Sequence, residues 1–169
     1  MKIFFLLSFL SFAFVNAIAQ PGKYAGTKKN LIGKIYTDSR NIAGLEGWQF
    51  REGSVITPLE NPEMITVDVF QKGATFLVFF SIKEDTASAE FVIADVLEIK
   101  PVVKGWTVKT SFCRQNKIEN SWIVAWAKEA PTEYLKILKK AWRFNPDKRR
   151  IEIINIKGID CLNEGFDLT

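Results

Sequence analysis

The chain has no histidine at any of its 169 positions. This removes the commonest general base, and with it the Ser-His-Asp and Cys-His nucleophilic arrangements. It also removes the imidazole ligands of most zinc and copper sites. Cysteine is nearly as scarce, with only Cys113 and Cys161. Neither G-x-G-x-x-G nor the P-loop pattern occurs, so there is no glycine loop of the kind that cradles phosphates. There is no internal repeat and no low-complexity tract. Enzymatic chemistry would fall to carboxylates, lysine, serine or tyrosine, and nothing here calls for a cofactor or a metal.

The N-terminus reads as an export signal over residues 1–19. Lys2 supplies a minimal positive start, Ile3 to Val15 an apolar run, and Ala17-Ile18-Ala19 a small-x-small cleavage pattern. Cleavage is expected between Ala19 and Gln20, which gives a secreted or periplasmic product. The run is too short to span a bilayer, which takes about 20 apolar residues. No cysteine sits directly after the cleavage point, so a lipid anchor on the new N-terminus is not expected. Wealth in Ile, Lys, Asn and Phe suits a bacterium with an AT-rich genome. The formal net charge of +4, one unit of which is Lys2, is too mild to name a partner.

Residues 20–169 make about one domain. An oxidising compartment favours pairing Cys113 with Cys161. Closing a loop of about 49 residues contributes roughly 4 kcal/mol by the chain-entropy relation.

Residues 20–30 hold glycines, a proline and three lysines without a period, and read as a flexible N-terminal arm. A single globular domain follows over 31–169. Leu31 to Tyr36 suits a short strand and Thr37 to Gly47 a loop. Trp48–Phe50 and Val55–Ile56 suit a weak strand pair around Arg51 to Ser54. Ile65, Val67 and Val69 alternate with Thr66 and Asp68, the pattern of a half-exposed strand. Lys72-Gly73 turns the chain into Thr75–Ile82, which is apolar at nearly every position and reads as a strand covered on both faces. Phe91 to Ile99, with its β-branched residues, favours a strand. Trp106 to Phe112 and Trp122 to Ala127 suit a hairpin turned by Arg114 to Asn120. Thr132 to Lys140 predicts the one helix: Thr132 as N-cap, lysines at the end, and an apolar stripe through Leu135, Leu138 and Trp142. Trp142–Phe144 and Ile151–Ile154 form a last hairpin around Asn145-Pro146-Asp147-Lys148.

The predicted fold class is therefore α+β: a mainly antiparallel twisted sheet of about seven strands with one short helix packed on it. A β-sandwich or partly open barrel is the alternative.

Four groups of residues bear on function. Lys136, Lys139, Lys140, Arg143, Lys148, Arg149, Arg150 and Lys157 face only Asp147 and Glu152 in the same stretch, a basic patch suited to an acidic protein or an envelope polysaccharide rather than to nucleic acid. Glu84 with Asp85, and Asp95 with Glu98, are the carboxylate pairs on which a polysaccharide hydrolase would depend. Asp160, Asn163, Glu164 and Asp167 offer oxygens, but not at EF-hand spacing. Trp122 and Trp126, about 13 Å apart if they share a strand face, could present rings to a sugar, although such rings are more often core. The favoured reading is an exported, non-enzymatic module that binds a protein or an envelope polymer through the basic C-terminal face. The alternatives are a carboxylate-dependent polysaccharide hydrolase or a sugar-binding aromatic face.

Overall fold

The structure is a computed structural model that describes residues 27–56, 63–83, 85 and 87–166. The expected export signal, Gln20 to Gly26 of the arm, Glu84 and Asp167 lie outside the described residues. In chain order the elements are α1 (Thr27–Leu31), β1 (Ile35–Tyr36), β2 (Gln49–Ile56), β3 (Met64–Lys72), β4 (Thr75–Lys83), β5 (Phe91–Ile99), β6 (Trp106–Lys109), β7 (Cys113–Gln115), β8 (Ile118–Glu119), β9 (Ile123–Lys128), β10 (Tyr134–Leu135), β11 (Leu138–Asn145), β12 (Arg150–Ile154) and β13 (Ile159–Leu162).

The strands pair antiparallel throughout and form three sheets. The first has the order β1-β5-β4-β3-β2, the second β12-β11-β9-β6 and the third β10-β13-β7-β8. The expected antiparallel, sheet-rich fold is present, but with thirteen described strands rather than about seven.

Three apolar layers hold the sheets together. Val67, Val69, Val78 and Phe80 of the first sheet pack against Val124, Trp126 and Phe144 of the second. The outer face of the first sheet, with Phe70, Leu77 and Phe79, is closed by Leu31, Tyr36, Ile42 and Leu45. The outer face of the second sheet, with Ile123, Ala125 and Ala141, is closed by Leu135, Ile159 and the two cysteines of the third. β4 therefore has apolar neighbours on both faces, and Leu77 to Phe80 are each fully buried. That is why its sequence does not alternate.

Several expectations are corrected. Thr132 to Lys140 is not a helix. The Thr132 hydroxyl donates to the Tyr134 carbonyl, β10 pairs with β13, and Leu138 to Lys140 already belong to β11. The helical spacing has a specific cause. The β11–β9 register shifts between Leu138 and Lys140, and the extra residue lets Leu138 and Ala141 share one face although they are three apart. The helix lies instead at Thr27–Leu31, inside the stretch read as a free arm and a first strand, and Leu31 is buried.

The half-exposed character expected of β3 also fails. Thr66 and Asp68 are buried because the segment ahead of β2 covers that face, and the Tyr36 hydroxyl donates to Asp68 Oδ2 at 3.0 Å. Burial drives the Asp68 carboxyl above its usual range. The weak strand pair around Arg51–Ser54 is one continuous strand, β2, with a register shift at Arg51. The expected long strand Trp106–Phe112 ends at Lys109. Ser111 takes φ +63° and sends the chain from the second sheet to the third. Within the expected turn Arg114–Asn120 lies a small hairpin, β7–β8, closed by Asn116 and Lys117 at φ +53° and +69°. The β3–β4 and β11–β12 hairpins form as expected.

Candidate functional site: a basic seam between two sheets

The first and second sheets meet edge to edge where β5 approaches β12. Asp95 makes the join. Its Oδ2 accepts the Ile151 N–H at 2.7 Å, while its Oδ1 accepts the Val96 N–H at 2.8 Å and takes the Lys28 ammonium at 2.9 Å. Asp95 is only 6% exposed, and these three donors are what make its burial tolerable.

Beside this join a cleft of about 540 Å³ opens between the two edges. Leu97, Glu98 and Lys100 line one side, Trp142, Ile151 and Ile153 the other, and Trp126, Lys28 and Lys140 complete the wall. Lys100 is held by Glu98 at 2.8 Å. Lys139 sits over the Trp126 ring at 4.1 Å, so that ring is capped by a cation and is itself 5% exposed. Lys140 is exposed and makes no ion pair among the described residues.

The edge of β5 at this cleft has an unusual backbone state. β1 pairs only with Phe91 and Val92, and Ile93 bonds to Gly33 and Lys34. A register shift follows, with Phe80 opposite Asp95 and Ser81 opposite Ile93. The extra residue, Ala94, moves the outward-facing backbone groups from Ile93 to Val96 and then Glu98. The Val96 N–H is taken by Asp95, and no strand among the described residues pairs with Val96 or Glu98 on that side.

The basic stretch does not form one surface. Lys139 and Lys140 border the seam. Arg143 points to the opposite face of the second sheet and donates to Gln115 Oε1. Lys148 and Arg150 both bind Glu152, whose carboxyl they hold below its usual range, with Arg150 the larger influence. Arg149 pairs with Glu63 at 3.2 Å. Lys136 lines a separate, smaller depression with Glu133 and Ile137, and Lys157 is exposed after β12. Lys28 and Lys100, which bring charge to the seam from the other sheet, carried no signal in the sequence, because the pairing of β5 with its surroundings is non-local.

The other candidates are dispersed. Asp160 is bound through both oxygens to Arg114, at 2.8 and 2.9 Å, and Arg114 stacks on Tyr134. Asn163 donates its amide to the Ala130 and Thr132 carbonyls, and Glu164 lies 3.5 Å from Lys109. Among the described residues no three acids, cysteines or histidines gather about a common point. Trp122 and Trp126 both pack into the layer between the first two sheets, beside Phe144 and Trp106 respectively. A polar contact that sequence reading missed joins the same two sheets elsewhere: Thr110 donates to Glu52 Oε1 at 2.7 Å, and burial raises the Glu52 carboxyl.

Cys113 and Cys161 form a disulfide across directly opposed positions of β7 and β13. No helix among the described residues is long and apolar enough to cross a membrane. No family model, curated protein or solved structure matches the chain.

Proposed function

We propose that the protein is an exported binding module that takes an acidic partner in the seam between the first and second sheets. The observation that carries this reading is the seam itself: Lys28, Lys100 and Lys140 gather at its walls against Glu98 and the join acid Asp95. Lys140 supplies a cation not already paired among the described residues. Low-dielectric walls of tryptophan and isoleucine concentrate its field. The disulfide suits the export expected from the N-terminal sequence.

The hydrolase alternative loses support because its leading acid is committed. Asp95 has both oxygens bonded, and Glu98 is held by Lys100. The sugar-stacking alternative loses support because Trp126 is covered.

The test is retention of residues 20–169 on immobilised poly-glutamate and polygalacturonate across a salt series. Retention is expected at low salt, falling steeply as salt screens the charges. Lys140→Glu should abolish it, whereas Arg149→Gln with Arg150→Gln should change it little. Dependence on Arg149 and Arg150 instead of Lys140 would move the site to the hairpin tip. Absence of retention on either polymer would sink the reading.

A further inference from the structure

We infer that the occupant of the seam is an extended acidic peptide segment of a partner protein, added as a strand to the open edge of β5. This rests on the reading above that the seam takes an acidic partner, and it names the partner's chemistry.

The backbone carries the inference. Past the register shift at Ala94, the Val96 carbonyl and both backbone groups of Glu98 face away from β4 without a strand partner among the described residues. Groups of this kind two residues apart, about 6.8 Å, match the repeat of an antiparallel neighbour. An open edge of this sort is a template for pairing with another chain. Its ends are defined. Asp95, Lys28 and α1 close one end, and Pro101, which has no N–H, stops pairing at the other. Between them there is room for about five residues at ~3.4 Å each.

The side chains set the composition. A strand laid on β5 would turn alternate residues toward Trp142, Ile151 and Ile153, which line the facing wall. Lys140 stands at the end of that same wall, on the face of β11 that carries Trp142, while residues of the other set would face away from the second sheet, beside Glu98 and Lys100. The segment is therefore expected to carry apolar residues opposite Trp142, Ile151 and Ile153 and acidic residues where Lys140 and Lys100 stand. A polysaccharide lacks the alternating N–H and C=O groups that this edge requires, and the capped Trp126 ring leaves it little to stack on.

The experiment uses blocked octapeptides with the mature chain, read by nuclear magnetic resonance. The first peptide alternates glutamate and valine. Two more carry N-methyl groups on one or the other alternate set of amides, a fourth has lysine in place of glutamate, and polygalacturonate is run beside them. The glutamate–valine peptide should bind and slow amide exchange at Glu98. One N-methylated set should weaken binding about tenfold or more and the other little, because a strand bonds its neighbour through one edge only. Lys140→Glu should weaken the acidic peptide and strengthen the lysine peptide. If both N-methylated peptides bind as well as the parent, strand addition is overturned although the acidic seam stands. If polygalacturonate alone binds, and Lys140→Glu abolishes that, the occupant is a polymer and not a peptide. If no anionic probe binds, the reading of the seam falls with the inference.

Discussion

Asp95 on β5 accepts the backbone N–H of Ile151 on β12 at 2.7 Å, and this contact joins the edge of one sheet to the edge of the next. The same carboxylate holds Lys28, so the strand edge, the hairpin and α1 converge on one buried acid.

Replacing that acid should loosen all three. Asp95→Ala leaves the Ile151 and Val96 N–H groups without their acceptor and removes the ion pair with Lys28. A loss of about 3–5 kcal/mol is expected, the range for breaking one side of a buried charge pair. Urea unfolding measures it. A loss below 1 kcal/mol would show that the join is not structural. Asp95→Asn, which keeps an acceptor, should cost less.

Tyr36→Phe removes the hydroxyl that donates to buried Asp68. The bond favours the charged carboxylate, so its loss should cost about 0.5–3 kcal/mol, more at pH 7 than near pH 4. Stability curves at the two pH values decide it. An equal cost at both would mean that the bond does not favour the charged carboxylate.

Glu52 gives a pH dependence of defined sign. Burial raises its folded pKa above the unfolded value. Its favourable contribution is complete below the unfolded pKa, about 4.3, and is lost as pH rises through the folded value. The charged groups that act on it are Lys109, Glu164 and Arg51, with Thr110 as donor. Glu52→Gln should thus gain on the parent as pH rises from about 4 to 7. A difference that shrinks over that range would reverse the assignment.

Gly53 lies against Asp68. A Cβ there would stand 2.6 Å from Asp68 Oδ1 and 3.1 Å from the Phe50 ring. Gly53→Ala should therefore destabilise by about 1–3 kcal/mol, the cost of overpacking a filled site. Thermal unfolding beside Gly165→Ala, where a Cβ meets nothing within 4 Å, separates crowding from the general effect of losing a glycine.

Removing both sulfurs by Cys113→Ala with Cys161→Ala should cost about 2–5 kcal/mol. Both cysteines are fully buried, so dithiothreitol should reduce the folded protein slowly and the urea-unfolded protein fast. Equal rates would place the disulfide in a segment that opens readily.

The sequence by itself determined the elements whose signals are local. Thr75–Ile82 announced a doubly covered strand because each of its side chains must leave water. Lys72-Gly73 and Asn145–Lys148 marked their hairpins, since turn backbones restrict which residues fit them. The cysteine pair followed from scarcity and from the oxidising compartment that the N-terminal sequence led one to expect. Tertiary structure alone decided the rest. The stripe read through Leu135, Leu138 and Trp142 was no helix: Leu135 belongs to β10, Trp142 faces the layer opposite Leu138, and the bulge at Lys139 brings Ala141 rather than Trp142 onto the face of Leu138. Thr66 and Asp68 alternate like a wet face, but the chain ahead of β2 folds over them and Tyr36 supplies the missing donor. The basic stretch looked like one surface because its residues are close in sequence, yet a strand sends neighbours to opposite faces and a hairpin tip pairs its own charges. Lys28, Asp95 and Lys140 meet only because two sheet edges meet, and spacing along a chain carries no record of that.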